Sequence, residues 1–143
     1  MLTPTTGYAI SALGCLARHG GQYVQTRHVA ECADVPQQYL AKILHMLTKK
    51  DLVISQRGIH GGVKLARKPE EITLHEVCIA MEDPVTKMRC MLGNEECSDE
   101  RNCPCHEFWT EHRRETLRFL EETTLKEIGE FSDHACKPKA TQA

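Results

Sequence analysis

The segment from Thr26 to Arg67 constrains the fold more than any other part of the chain. Thr26 opens a short helix, Arg27 to about Asp34, with Val29 and Ala30 turned inward. Pro36 then stands at the first position of a second helix, where a missing N–H leaves no intrahelical acceptor unpaired. Leu40, Ile43, Leu44 and Leu47 recur every three to four residues through to Lys50, giving one apolar stripe on a polar helix. Two short helices with a few residues between them make a helix-turn-helix. Leu52–Arg57 and Val63–Arg67 follow as strands flanking Gly58-Ile59-His60-Gly61-Gly62, whose three glycines permit a tight connection. Helix, helix and a basic glycine-tipped hairpin predict a winged helix-turn-helix.

The flanking segments are helical. Thr5 or Thr6 can cap a first helix with Tyr8, Ile10, Leu13, Leu16 and Ala17 as its apolar positions, closed by Gly20-Gly21. Thr73 caps another helix, Leu74 to about Glu82, with Leu74, Val77, Cys78 and Met81 on one face and Pro84 as its stop. Residues 84–103 show neither helical nor strand period, and such a loop in a small domain is functional or disordered. Pro104 reopens a helix that runs to about Ile128. Trp109, Thr116, Leu120 and Thr123 fall at heptad-like steps, beside Phe108, Leu117 and Leu125. That stripe suits a dimer seam, or packing on the chain's own first helix. The expected fold is mainly α with a small β-hairpin wing: a winged helix-turn-helix plus a long dimerisation helix. Its parts are a DNA-binding region (1–83), a cysteine-rich loop (84–103), a dimerisation helix (104–130) and a polar, frayed tail (131–143).

Charge is unevenly placed. Residues 1–69 carry nine Lys/Arg against three Asp/Glu, while residues 70–143 carry nine against seventeen. A basic first half suits a polyanionic partner. No apolar run reaches the roughly 18–20 residues that span a bilayer, so no membrane partner is expected. The apolar stretch Tyr8–Ala17 lacks a preceding Lys or Arg and does not fit an export signal, which points to the cytoplasm. There, eight cysteines indicate metal or redox chemistry rather than a disulfide framework.

In a helix-turn-helix the second helix enters the major groove, its N-terminal residues reaching base edges. Those residues are Gln37, Gln38, Tyr39 and Lys42, with Thr26 at the start of the preceding helix. Glutamine pairs bidentately with adenine, and lysine suits guanine or phosphate. Arg57, His60 and Lys64 extend the basic surface along the wing. The second chemical feature is C-x6-C-x5-C-x-C-H: Cys90, Cys97, Cys103, Cys105 and His106. Thiolates and imidazoles ligate both zinc and iron–sulfur clusters. Structural zinc usually draws on closer C-x2–4-C pairs, so these wide gaps suit a cluster better, with zinc or a metal-free thiol switch as the rival. Cys15, Cys32 and Cys78 lie in helical stretches and read as small core residues. His106-Glu107 does not continue to a zincin motif because residue 110 is Thr, and no nucleophile-elbow or phosphate-loop pattern occurs. No enzymatic activity is expected.

From about Leu2 to Ile128 the chain resembles the winged-helix iron–sulfur transcription regulators typified by IscR and NsrR. The resemblance rests on Tyr8-Ala-Ile, Tyr39-Leu-Ala-Lys-Ile-Leu, the wing Arg57-Gly-Ile-His-Gly-Gly-Val-Lys-Leu-Ala, Ile72-Thr-Leu, the three spaced cysteines and Trp109. It implies a homodimeric regulator, a repressor among the possibilities, that binds a double-stranded operator. Each subunit would hold a cluster, 2Fe–2S or alternatively 4Fe–4S, on Cys90, Cys97 and Cys103. Three positions depart from the pattern. The first cysteine gap is six residues rather than five, Cys105 is an extra thiol, and Gly7 stands where the nitric-oxide sensors carry an Asp. For the fourth ligand, Pro104 as first helical residue would make Cys103 the N-cap. His106 at the third helical position would then fold back toward it while Cys105 turned elsewhere. His106 is therefore the expected fourth ligand, matching the histidine three residues after the last ligand cysteine in the cluster-biogenesis regulators.

Overall fold

The computed structural model describes residues 1–87, 89–92, 100 and 102–132. Its elements are helices α1 (Pro4–Arg18), α2 (Thr26–Ala33) and α3 (Gln37–Lys49), strands β1 (Val53–Gln56) and β2 (Gly62–Leu65), and helices α4 (Leu74–Ala80), α5 (His106–Glu122) and α6 (Leu125–Ser132). The result is mainly α with one antiparallel hairpin, a winged helix-turn-helix as expected.

The start of α1 differs from the sequence expectation. Thr3, not Thr5 or Thr6, is the N-cap, its hydroxyl accepting from the Thr6 N–H at 3.2 Å, and Pro4 is the first helical residue. Thr6 is instead fully buried. The helix pair follows the expected order with shifted caps: Gln25 caps α2, and Pro36 is the N-cap of α3 rather than its first residue. Asp34 closes α2 in the left-handed conformation, φ 53°, which a short polar side chain tolerates. Leu40, Ile43, Leu44 and Leu47 of α3 are all buried, as their spacing requires, against Leu13, Val29, Val53 and Ile72.

The hairpin pairs Val53 with Leu65 and Gln56 with Gly62. A third segment joins it, because Val24 and Val63 exchange both backbone hydrogen bonds at 2.8 Å. Gly62 is required there. Its φ is +139°, and a Cβ would stand 2.2 Å from the Val24 carbonyl oxygen. The wing is thereby stitched to the residues that lead into α2. Thr73 and Glu76 close a capping box at the start of α4, a feature worth about 1 kcal/mol. The Arg67 guanidinium reaches Glu76 at 2.6 Å and ties the end of the wing to that helix.

The single long helix expected from Pro104 to Ile128 is two helices. Thr123 is extended (φ −89°, ψ 131°), and its carbonyl accepts from the Leu74 N–H at 2.9 Å. The Leu125 N–H donates to the Ile72 carbonyl at 3.0 Å, and Thr73 bridges Thr124. Two β-branched threonines have little helical preference, and pairing with residues 72–74 outweighs it. The break redirects α6 across α1, where Gly129 packs against Ala17 and the Gly14 carbonyl. Packing on the chain's own first helix therefore holds for α6. Along α5 only Leu120 is buried, while Phe108 (64% exposed) and Phe119 (58% exposed) face outward. Among the described residues no helix is long and apolar enough to cross a membrane.

Candidate nucleic-acid interface and cysteine centre

The interface starts from the polar side of α3. With its leucines and Ile43 committed to the core, Gln37, Gln38, Tyr39 and Lys42 are exposed at its N-terminal half, Tyr39 at 53%. Thr26, half-buried, begins α2. Arg57 and His60 are exposed at the wing, beside an exposed Ile59. Lys64 lies on β2 with its Nζ 4.7 Å from the centroid of the Tyr23 ring, a cation–π contact that holds the ammonium at the base of the wing. Periodicity gave no sign of this contact, because Tyr23 lies outside every periodic segment. The recognition helix and the wing share one core, so their basic and amide groups form one rigidly mounted surface.

The cysteines divide by environment. Cys15 and Cys78 are buried core residues. Burial pushes the Cys15 thiol up against the opposing pull of Arg18, and burial with the nearby Asp83 pushes Cys78 up to about 11. Cys32 packs against the core, as its helix position suggested. It is half-buried, accepts from Arg18 Nη2 at 2.7 Å and is disulfide-bonded, against the expectation of reduced thiols. Cys97, and Cys136 in the tail, lie outside the described residues.

Cys90, Cys103, Cys105 and His106 are all half-buried, around the start of α5. The Trp109 indole N–H donates to the Arg89 carbonyl at 2.7 Å, which fixes the residue beside Cys90 against the first turn of that helix. Asn102, left-handed at φ 45°, turns the chain into Cys103. Cys105, not Cys103, is the N-cap of α5, and its backbone carbonyl accepts from the Trp109 N–H at 2.9 Å. The Cys105 thiol lies within electrostatic reach of the Cys103 and Cys90 sulfurs. Partial burial and the neighbouring Cys103 and Cys90 sulfurs push the Cys105 thiol above its usual value. Among the described residues no three His, Cys, Asp or Glu side chains stand in a finished metal-binding arrangement.

One further group ties this region to the DNA-binding half, and sequence reasoning missed it. Asp83 is 1% exposed and sits where the cysteine-bearing segment begins. Its carboxylate accepts from the Thr3 N–H at 2.9 Å, the Thr3 hydroxyl at 3.1 Å and the Val85 N–H at 2.9 Å, and also from Thr6. Burial pushes the carboxyl up, but the donors of Thr6, Val85 and Thr3 outweigh it and hold it below the usual carboxylate range. Asp83 thus pins the N-cap of α1, which itself packs on α2 and α3, to the start of the cysteine segment.

Comparison with known proteins places this geometry. The Rrf2 model, described as an iron-dependent transcriptional regulator, matches residues 2–130. The HTH-type transcriptional regulator IscR of Sodalis glossinidius is 31% identical over 128 residues, covering 89% of this chain and 77% of that protein. Protein rrf2 of Nitratidesulfovibrio vulgaris is 30% identical over 128 residues, covering 89% and 85%. Among solved structures, CymR, the global cysteine regulator of B. subtilis, superposes with a TM-score of 0.77 at 21% identity, over 92% of this chain and 97% of that one. At that identity the likeness is one of fold.

Proposed function

The chain belongs to the Rrf2 family of DNA-binding transcriptional regulators, and on that premise we propose that an iron–sulfur cluster held by Cys90, Cys97 and Cys103 sets its affinity for an operator. The supporting observation is the gathering of Cys90, Cys103 and Cys105 around the start of α5, with Trp109 holding the Arg89 carbonyl. Sulfur donors gathered at one place in the chain fit such a group, because cysteine thiolates are the ligands of iron–sulfur clusters. When bound, a cluster of the 2Fe–2S type supplies a redox- and iron-sensitive cross-link between the loop and the helix. His106, the sequence expectation for a fourth ligand, begins the same helix.

The chain's own contacts carry a change there toward DNA. Asp83 joins the start of the cysteine segment to the N-cap of α1, and α1 packs on both helices of the helix-turn-helix. On the other side α5 presents Phe108 and Phe119 to solvent, apolar area that suits a second copy of the chain. A homodimer working in the cytoplasm would place two copies of Gln37, Gln38, Tyr39 and Lys42 in successive major grooves of a pseudo-palindrome. Thr26, Arg57, His60 and Lys64 would then meet the flanking backbone. The nearness of the Cys103 and Cys105 sulfurs also favours a second reading, a zinc site or metal-free thiol switch in the same regulator. Anaerobic isolation decides between them. A cluster gives visible charge-transfer absorption with matching iron and acid-labile sulfide, and a zinc or thiol form gives neither.

A further inference from the structure

The geometry points to Ile59, at the tip of the wing, as an apolar wedge that enters the operator's minor groove and selects an easily unstacked base step there; this rests on the operator reading above but not on the cluster. Ile59 is 87% exposed, more than any other large apolar side chain among the described residues except the terminal Met1. Its place in the chain is unusual for its type. The Gly61 N–H donates to the Gly58 carbonyl at 3.0 Å, so Ile59 and His60 are the central residues of a four-residue turn. Such positions favour Pro, Gly, Asn, Asp and Ser, and a β-branched apolar residue gains nothing there from the turn or from the core. A residue that breaks the local rule with no compensating contact inside its own chain is expected at a functional position.

The tip is held stiffly, as a wedge requires. Gly61 lets the chain fold back on itself where a Cβ would overlap the Gln56 carbonyl. Below it Gln56 pairs with Gly62, and Val63 exchanges both backbone hydrogen bonds with Val24, two residues before α2. The offset between Ile59 and the recognition helix α3 is therefore set by backbone pairing rather than by a loose loop. On one face of a duplex the minor groove follows the major groove by half a helical turn, about 5 bp. With α3 in the major groove, the wing meets that minor groove. Arg57 and His60, both exposed, flank Ile59 in the chain and can pair with the phosphates bordering the groove, leaving the apolar side chain to face the base edges. Apolar side chains so placed slip between base pairs and kink the duplex, most readily at pyrimidine–purine steps because these unstack most easily.

The test uses the full-length wild-type chain, Ile59→Ala and Ile59→Met, prepared identically, for selection from random duplex DNA and for anisotropy titrations. Wild type and Ile59→Met are expected to enrich a pyrimidine–purine step at one fixed position, about 5 bp from the bases that α3 reads. Ile59→Ala is expected to lose that enrichment alone, to keep the remaining sequence preference, and to bind the wild-type operator about tenfold more weakly. Its salt slope should match wild type, because an apolar contact releases no counterions, and this separates it from Arg57→Ala. The fluorescence of 2-aminopurine placed at the enriched step should rise on binding wild type and not on binding Ile59→Ala. A wild-type chain that selects an operator without such a step overturns the wedge. So does an Ile59→Ala variant that selects and binds the same sequences as wild type, or a 2-aminopurine signal indifferent to residue 59. A wild-type chain that enriches no sequence at all refutes the operator reading, and the wedge with it.

Discussion

Replacing Asp83 by alanine removes a group that joins the N-cap of α1 to a position 80 residues away. The loss can be sized from its partners. Two backbone donors, the Thr3 and Val85 N–H groups, lose a charged acceptor at 2.9 Å, while the Thr3 and Thr6 hydroxyls remain 2.9 Å apart and keep each other. A hydrogen bond to a charged group contributes about 1.5–3 kcal/mol, more than a neutral one. Some of that is recovered as water enters the vacated site, leaving about 3 kcal/mol of destabilisation and a Tm lower by roughly 10 °C. The pH dependence separates this cause from a mere cavity. The folded-state pKa of Asp83 lies below the ordinary carboxylate value. Its contribution is therefore complete above the unfolded value and is lost as pH falls through the folded one. Asp83→Asn, which preserves shape but never carries charge, should be less stable than wild type near neutrality and approach it in acid. Urea unfolding of the three proteins at fixed concentration, at about pH 7 and about pH 3, measures both effects. An Asp83→Ala variant within about 1 kcal/mol of wild type, or a wild-type-to-Asn gap that does not shrink in acid, refutes the latch.

Other contacts give equally direct expectations. Gly62→Ala, forcing a Cβ to within 2.2 Å of the Val24 carbonyl at a φ of +139°, should destabilise by roughly 3 kcal/mol in denaturant unfolding. It should also weaken operator binding by freeing the wing. Thr73→Ala opens the capping box of α4 and should reduce stability by about 1 kcal/mol. Lys42→Ala should weaken operator binding by about 1–3 kcal/mol and relax sequence preference, and Arg57→Ala should weaken it on all sequences and reduce the salt slope by about one. Lys126→Ala, exposed on α6, should leave fluorescence-anisotropy titrations unchanged. Equal effects at Lys42, Arg57 and Lys126 would show that the wrong face has been assigned to DNA.

The recognition helix and the wing were legible in the sequence because their signals are local. The three-to-four spacing of Leu40, Ile43, Leu44 and Leu47 dictates which side of α3 is buried, and the glycines of residues 58–62 dictate the turn. What escaped was set by distant partners. Thr123 looks like one more helical residue until the Leu74 N–H, 49 positions earlier, claims its carbonyl. Asp83 reads as an acidic residue before a proline until Thr3 folds against it. The heptad-like stripe on α5 divides for the same reason. Leu120 and Thr123 are buried within the chain, and Phe108 and Phe119 are what remains exposed. The cysteine spacing singled out this region from the sequence, but α5 begins at His106, two residues later than Pro104, because Cys105 and not Cys103 is its N-cap.

The central claim is that the state of the cysteine centre sets operator affinity, and one measurement tests it most directly. An operator selected from random duplex DNA by the reconstituted protein is titrated anaerobically, at one fixed salt concentration, with cluster-loaded and cluster-free protein. A switch requires a coupling free energy between the two sites, typically about 1–3 kcal/mol or roughly 5–150-fold in affinity. A difference within that range, abolished in Cys103→Ser, is the expected result. Equal affinities of the two forms, for this operator and for a scrambled duplex alike, would contradict it.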